Sequence, residues 1–337
     1  MNIEFSQLLA ELKKKIYHPV YFLTGEEPYF IDRISDFIEK NVLDQNEKEF
    51  NQTVLYGGDT DTLSLIAAAK RFPMMSTHQV IIVKEAQNIR DLAGKASFLS
   101  YLEKPLKSTI LVLCYKYKSI DKRTQLGKNL VKYAAVMESK KLYENKIPDW
   151  INACLKEKKY SISPKACLLL TEFLGTDLSR IGNELDKLTI GLPQQSEITE
   201  EHIQQNIGIS KEFNSFELQS ALGRKDVVKA NRIVNYFAAN QKENPMVLTL
   251  SSLYGFFSKL LTYQLLPDKS KTAVAGALGI NPYFVGDYER AAKLYPGTKL
   301  KTVIADLREY DLRSKGLDGT ATSGGELLKE LVFKIIH

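Results

Sequence analysis

The sequence lacks any apolar segment long enough to cross a bilayer, since no stretch approaches the roughly 18 to 20 uncharged apolar residues that a spanning helix needs. Its first residues, MNIEFSQLLAELKKK, are typical of a polar helix rather than a signal peptide. The 337 residues are 44% hydrophobic and 26% charged, which is a globular composition with room for two or three domains. We therefore expect a soluble, cytoplasmic protein without a membrane partner.

Cysteine and histidine are scarce and scattered. The chain contains Cys114, Cys154, Cys167, His18, His78, His202 and His337. Because the cysteines are odd in number and far apart, the sequence predicts no disulfide framework. With no cluster of Cys and His at ligand spacing, we also expect no structural metal.

The excess of positive charge is small and unevenly distributed. Of the net charge of +6, residues 211–337 carry +5, from 18 basic and 13 acidic side chains, whereas residues 1–210 carry 28 and 27. An excess of this size is typical of an ordinary solvated surface. It is also compatible with contact to a nucleic-acid phosphate backbone.

Residues 1–140 alternate between strand and helix patterns. Apolar, β-branched runs predict strands over Val20–Thr24, Gln52–Tyr56, Gln79–Glu85, Thr109–Tyr115 and Tyr133–Glu138. Helical periodicity follows the first and the second of these runs. Strands separated by helices predict a mainly parallel sheet that helices cover on both faces, which is an α/β domain.

After about residue 140 the strand patterns stop and amphipathic helices follow. Ser163 and Pro164 are typical of a helix start, and Gly175 is typical of its end. Longer helical units follow, including one over residues 213–237. We predict a small helical domain over residues 141–210 and a separate all-α domain over residues 211–337.

The segment YFLTGEEPYFIDR, which begins at Tyr21, has the strand, glycine turn and helix of a phosphate-binding loop. Such a loop also needs a second glycine followed by Lys and Ser or Thr. Here Gly25 is followed by Glu26 and Glu27, whose carboxylates would repel a triphosphate, and then by Pro28, which has no backbone donor. The sequence therefore predicts a degenerate phosphate loop.

The strand that would supply the magnesium ligand is changed as well. In active ATPases this strand ends in Asp-Glu, and the Asp holds Mg²⁺. Lys84 occupies that position here, before Glu85, and a cation there opposes Mg²⁺. Because both changes affect the same ligand, we expect no nucleotide cofactor and no ATP hydrolysis; an active ATPase is the alternative hypothesis.

Four apolar residues, Phe72, Pro73, Met74 and Met75, lie in the connection before a buried strand. Pro73 ends the preceding helix. The residues alone favour methionines that cover the local core. The alternative is an exposed, flexible pair that inserts into an apolar pocket of another protein.

Residues 273–293 predict a helix, a glycine turn and a second helix, which resembles a DNA-reading helix-turn-helix. The second helix carries Asp287 and Glu289 beside Arg290 and Lys293, and carboxylates oppose base readout. An ordinary αα-hairpin is favoured, and a DNA-binding regulator is the alternative.

Residues 315–336 predict a Gly/Ser/Thr loop and a last amphipathic helix that packs against neighbouring elements or subunits.

Five segments, in order, resemble the delta subunits of the bacterial DNA polymerase III clamp loader. They are PVYFLTGEEPYFIDR, RFPMMSTHQVIIVKEAQNIRD, LGTDLSRIGNELDKL, ITEEHIQQNIG and KGLDGTATSGGELLKELVFKII, and they extend over essentially the whole chain. The resemblance implies an AAA+-like domain that has lost nucleotide binding, a helical lid and a helical collar. In such a family the collar joins the subunits of the loader into a ring.

The resemblance also implies a mechanical function in DNA replication. Such a subunit binds the beta sliding clamp and opens it for loading onto primer-template DNA, together with gamma/tau and delta prime type subunits. No intrinsic catalysis is expected, because the DNA-directed DNA polymerase (nucleotidyltransferase) activity belongs to the holoenzyme. The resemblance places the protein at the nucleoid-associated replisome.

The family's clamp-inserting hydrophobic pair lies between the helix after the second strand and the third strand. Its position here corresponds to Met74 and Met75, supported by Phe72 and Pro73. With the resemblance included, clamp contact becomes the favoured interpretation. Arg180 matches a position in the sensor helix of active relatives, and we expect it to be structural.

DNA would pass through the assembled ring and be contacted through its phosphates. A basic loop follows the fourth predicted strand and carries Lys116, Lys118, Lys122 and Arg123. No single member of this loop is predicted to bind DNA.

Overall fold

The computed structural model describes residues 3–92, 96–208, 212–317 and 322–337. The chain forms two compact units, Met1–Leu142 and Tyr143–His337. Within the described ranges, none of the helices combines the length and apolarity needed to cross a membrane.

A five-stranded parallel sheet forms the centre of the first unit. Its strands are β1 (Val20–Gly25), β2 (Gln52–Tyr56), β3 (Gln79–Lys84), β4 (Thr109–Lys116) and β5 (Ala135–Ser139). Their order is β2-β3-β4-β1-β5, and every neighbouring pair is parallel. β1 is buried along its whole length, as expected for an inner strand of a covered sheet.

Helices cover both faces of this sheet. They are α1 (Phe5–Lys13), α2 (Pro28–Asn41), α3 (Gln45–Asn51), α4 (Thr62–Ala69), α5 (Ala96–Glu103) and α6 (Gln125–Tyr133). Val20 and Phe22 of β1 belong to the core with α4, α5 and α6, whereas Tyr21 and Leu23 belong to the core with α1 and α2. This alternation follows from the two-residue period of a strand and confirms the predicted α/β domain.

The second unit is mainly helical. Its helices are α7 (Ile147–Glu157), α8 (Pro164–Leu174), α9 (Leu178–Ile190), α10 (Glu200–Ile207), α11 (Ser215–Gly223), α12 (Val227–Ala239), α13 (Met246–Leu265), α14 (Lys271–Leu278), α15 (Val285–Leu294), α16 (Gly297–Ser314) and α17 (Gly324–Ile336). Two short parallel strands, β6 (Ser161–Ile162) and β7 (Glu197–Ile198), also pair in this unit. The sequence patterns did not predict this pair, because two residues are too few to establish a strand period.

Local sequence signals predicted the two ends of α8 correctly. The Ser163 hydroxyl accepts a hydrogen bond from the Ala166 N–H at the start of α8, and Gly175 ends that helix with a φ of +66°. The predicted helical unit over 213–237 is wrong in one respect, because it is divided between α11 and α12. Lys225, in the connection, has a φ of +53°, which a continuous helix does not permit.

The last helix packs within its own unit. Leu327, Leu328, Leu331 and Ile335 of α17 are buried in the same core as residues of α11 to α16. The predicted Gly/Ser/Thr loop includes residues 318–321, which lie outside the described residues, as do residues 209–211 at the predicted domain boundary. The division of the helical half into a lid and a collar stays a prediction.

Candidate functional site

The main chain of the predicted degenerate phosphate loop is hydrogen-bonded within the protein. The Gly25 N–H donates to the Lys118 carbonyl at 3.1 Å, and the Glu26 N–H donates to the Ser139 carbonyl at 3.0 Å. Gly25 has a φ of +127°, and a Cβ atom there would lie 1.9 Å from the Ser139 carbonyl oxygen. Two N–H groups that begin a phosphate cradle in nucleotide-binding loops are therefore directed at β5 and at the segment after β4.

The start of α2 carries a buried carboxylate. Glu27 is only 6% exposed, and its side chain accepts a hydrogen bond from the Tyr29 N–H at 3.1 Å. The Ser139 hydroxyl donates to the Glu27 carbonyl at 2.8 Å. A negative charge at a helix N-terminus interacts favourably with the helix dipole, which is the position a phosphate takes in nucleotide sites.

Lys84 and Glu85, at the altered magnesium position, both interact with nearby side chains. The Lys84 ammonium lies 3.3 Å from the Glu39 carboxylate. Burial works against the charge of Lys84, but nearby acidic groups, chiefly Glu39 with Asp36, together outweigh it, so the pKa of Lys84 is raised and the cation persists. Glu85 has a left-handed backbone, with a φ of +55°, and accepts a hydrogen bond from the Asn88 amide at 3.2 Å.

The connection from α4 to β3 presents apolar side chains to solvent. Met74 is 63% exposed, Met75 is 103% exposed and Phe72 is 76% exposed. The interpretation from residues alone, in which the methionines cover the local core, is therefore wrong. Met75 also has a φ of +54°, in the left-handed region that residues other than glycine seldom occupy.

A buried amide that the sequence patterns did not single out holds this connection. The Asn51 side chain accepts a hydrogen bond from the Met74 N–H at 2.6 Å and donates one to the Met74 carbonyl at 2.9 Å. Asn51 is the last residue of α3 and is 5% exposed. The only local signal for this role of Asn51 is a polar side chain at a buried helix end. No pattern in the sequence identifies Met74 as its partner.

Gln79 and Thr109 hold the other end of the connection. The Gln79 amide donates to the Arg71 carbonyl and to the Thr109 hydroxyl, and that hydroxyl donates to the Ala69 carbonyl at 2.8 Å. These bonds satisfy the carbonyl of Ala69, the last residue of α4, which has no partner within the helix, and the carbonyl of Arg71 just after it. The residues before Phe72 are thus fixed to the sheet.

Two models of one protein family match the chain. The model described as "DNA polymerase III, delta subunit" matches residues 21–140, and the model of its C-terminal domain matches residues 212–329. The chain belongs to the DNA polymerase III delta subunit family. A role in DNA replication follows from this membership.

Two relatives extend the match along nearly the whole chain. The DNA polymerase III subunit delta of Bacillus subtilis (strain 168) is 27% identical over 329 residues, covering 95% of this chain and 93% of the relative. The probable DNA polymerase III subunit delta of Aquifex aeolicus (strain VF5) is 22% identical over 308 residues, covering 88% and 86%.

A solved structure agrees at the level of fold. The structure described as "Bacillus subtilis DNA clamp loader delta protein" aligns with a TM-score of 0.54 and 24% identity, covering 98% of this chain and 99% of the other. The predicted order, an α/β domain followed by a mainly helical region, is thereby confirmed at the level of fold.

In this member of the delta family, carboxylates offset much of the basic loop after β4. Lys116 pairs with Asp32 at 2.7 Å and Lys122 pairs with Glu138 at 2.8 Å. Arg123 likewise pairs with a carboxylate, that of Asp121, at 2.8 Å. Three of the four predicted cations thus have an acidic partner, which a count along the sequence did not reveal. Lys118 contributes its backbone carbonyl, which accepts from the Thr24 hydroxyl at 2.6 Å.

The predicted helix-turn-helix is present as α14 and α15, with Gly279 ending α14 at a φ of +61°. Arg290 pairs with Asp287, and Lys293 pairs with Glu289 at 3.3 Å. Tyr288 of the second helix is buried in the core of the unit. These contacts favour the αα-hairpin over a DNA reader.

Arg180, at the sensor-like position, lies on α9. Its guanidinium is 5.7 Å from the centre of the Phe173 ring, a cation–π contact with α8. This contact agrees with the structural role expected for the residue.

As for metals, the described ranges contain no group of three or more His, Cys, Asp or Glu residues arranged to hold an ion.

Proposed function

We propose that this delta-family chain binds the beta sliding clamp and opens its ring for loading onto primed DNA. The exposure of Met74 and Met75 on a fixed connection carries the proposal. Methionine is flexible and polarisable, so an exposed pair suits an apolar pocket on a partner. Phe72 and Pro73 extend the apolar segment, and we assign all four residues to the clamp contact.

The proposed mechanism is mechanical. Burial of two such side chains contributes on the order of 3 to 6 kcal/mol before the costs of association are subtracted. This energy favours an opened clamp only if the element binds the open form more tightly than the closed form. The chain then acts by differential binding, and no bond is made or broken.

We infer that nucleotide chemistry belongs to other subunits. The hydrogen bonds of Gly25 and Glu26, the buried Glu27 carboxylate and the Lys84 cation support this assignment, because each one disfavours a phosphate or its metal. The polymerase activity likewise belongs to the complex that contains the chain.

We further assign the helical residues 211–337 to a collar that contacts gamma/tau and delta prime type subunits. Residues 141–210 would form the lid. Primer-template DNA would pass within the assembled complex, at the replisome. The core of α11 to α17 supports the assignment, since it gives this part of the chain apolar packing of its own.

Calorimetric titration of the purified chain with the cognate sliding clamp tests the proposal. We expect tight binding by the wild type and its loss in the Met74→Ala/Met75→Ala variant. Ile190→Ala is the control, because Ile190 is an apolar side chain that is 85% exposed and lies outside the proposed contact. Circular dichroism should report that all three proteins are folded.

Each result has a defined meaning. Binding that persists in the double variant would move the contact elsewhere. A wild type that fails to bind the clamp would contradict the proposal. In that case, titration with a fluorescent nucleotide and with duplex DNA would test the ATPase and DNA-regulator alternatives directly.

A further inference from the structure

The carboxamide of Asn51 makes three hydrogen bonds, which join two segments of the chain. Its oxygen accepts from the Met74 N–H at 2.6 Å, and its nitrogen donates to the carbonyls of Met74 at 2.9 Å and Glu47 at 3.1 Å. The Glu47 bond is local to α3, whereas the two Met74 bonds cross 23 residues of sequence. Both backbone polar groups of Met74 are therefore bound by one side chain.

Two simultaneous bonds restrict Met74 in both position and orientation. A single hydrogen bond would leave the peptide able to rotate about it, but a bidentate contact does not. The next residue, Met75, has a left-handed backbone and a fully exposed side chain. A non-glycine residue keeps such a conformation only where its surroundings determine it, and the Asn51 contact is the adjacent fixed point.

We propose that Asn51 is a positioning residue for the clamp contact, which holds the Met74–Met75 element in its binding conformation before the clamp arrives. The inference rests on the proposed function. Ordering a loop at the moment of association lowers affinity, so an element that is already ordered binds more tightly with the same contacts. Gln79 already anchors the Arg71 carbonyl. The segment from Phe72 onward is therefore the part of the connection that Asn51 must order.

The test compares Asn51→Ala and Asn51→Asp with wild type. Asn51→Asp has nearly the same size and keeps an acceptor for the Met74 N–H, but it replaces the donor facing the Met74 carbonyl with an acceptor, so it removes one of the two Met74 bonds without leaving a cavity. Asn41→Ala is the matched control. Asn41 ends α2 and donates to the Phe37 carbonyl, four residues earlier, at 2.8 Å, just as Asn51 donates to the Glu47 carbonyl, so it reproduces the local bond of Asn51 on a different helix.

We expect both Asn51 variants to bind the sliding clamp about tenfold more weakly by calorimetry. The Asn41→Ala variant should bind like wild type. Without any clamp present, hydrogen exchange of the Met74 amide should accelerate in Asn51→Ala, since that amide loses its acceptor. Clamp affinity and amide exchange are independent readouts.

A double-mutant cycle separates positioning from general stability. In the Met75→Ala background, Asn51→Ala should weaken binding much less than it does in wild type, because the side chain it positions is absent. An equal loss in both backgrounds, wild-type affinity in both Asn51 variants, or unchanged Met74 exchange in Asn51→Ala would each overturn the inference. A wild type that does not bind the clamp would instead overturn the proposed function, so the two failures are distinguishable.

Discussion

The Glu27 carboxylate accepts a hydrogen bond from the Tyr29 N–H at 3.1 Å, at the helix end where a nucleotide-binding loop would hold a phosphate. The chain thus supplies its own anion at this position. The preceding N–H groups of Gly25 and Glu26 donate to carbonyls of the same domain. The N–H groups of this turn and of the helix start therefore form hydrogen bonds within the protein.

The first prediction concerns the stability that this carboxylate provides. Glu27→Ala should lower the free energy of unfolding by about 1 kcal/mol, the usual effect of removing a helix N-cap. Urea denaturation measures it. Glu26→Ala is the control, because Glu26 is exposed and its replacement should change stability by no more than about 0.5 kcal/mol. Equal effects of the two substitutions would contradict the capping role.

The second prediction concerns nucleotide. Millimolar ATP with Mg²⁺ should leave the melting temperature of the purified chain unchanged, because a ligand that binds the native state would raise it. Differential scanning fluorimetry makes this measurement, and an unrelated ATPase provides the positive control. A concentration-dependent rise would show that the internal hydrogen bonds of the loop do not exclude phosphate.

The third prediction concerns Gly25. Gly25→Ala should destabilise the chain by roughly 3 kcal/mol or more, since the new Cβ would meet the Ser139 carbonyl and the backbone has a positive φ. Gly58→Ala is the matched control, because a Cβ there has no heavy atom within 4 Å. Chemical denaturation of both variants checks the difference. A Gly25→Ala variant as stable as Gly58→Ala would argue against the close approach of β5.

The fourth prediction concerns the cysteines. Burial raises the pKa of Cys114 and of Cys167 to about 12, so both thiols stay protonated near neutral pH, whereas Cys154 is partly exposed. A thiolate is the reactive form, so Ellman's reagent should modify one thiol quickly and two slowly. Cys154→Ser should remove the fast phase. A fast phase that survives this substitution would contradict the assignment.

The sequence predicted features that depend on neighbouring residues. The apolar runs gave the five strands of the sheet to within a few residues, because burial on both faces requires continuous hydrophobic segments. The Ser163 cap and the Gly175 stop were also correct, since both act within one turn of helix. The degenerate phosphate loop was inferred from side chains alone and stays a prediction.

Features that depend on distant partners were not predicted. The backbone of the exposed Met74 is hydrogen-bonded to Asn51, 23 residues earlier, and no periodicity encodes that contact. The basic loop appeared more positive in the sequence than it is in the structure. Lys116 pairs there with Asp32, which lies 84 residues away along the chain. Local patterns specify elements, whereas tertiary contacts decide which side chains remain available to a ligand.

The contact between Gly25 and Ser139 has a consequence for the design of new sites in this domain. Side-chain substitution alone would not create a phosphate site at this turn, because the obstruction is the main chain of β5 itself. Engineering such a site would require the backbones of β1 and β5 to separate as well as several changes of residue. The turn is therefore a poor starting point for introducing nucleotide binding, whatever side chains are placed on it.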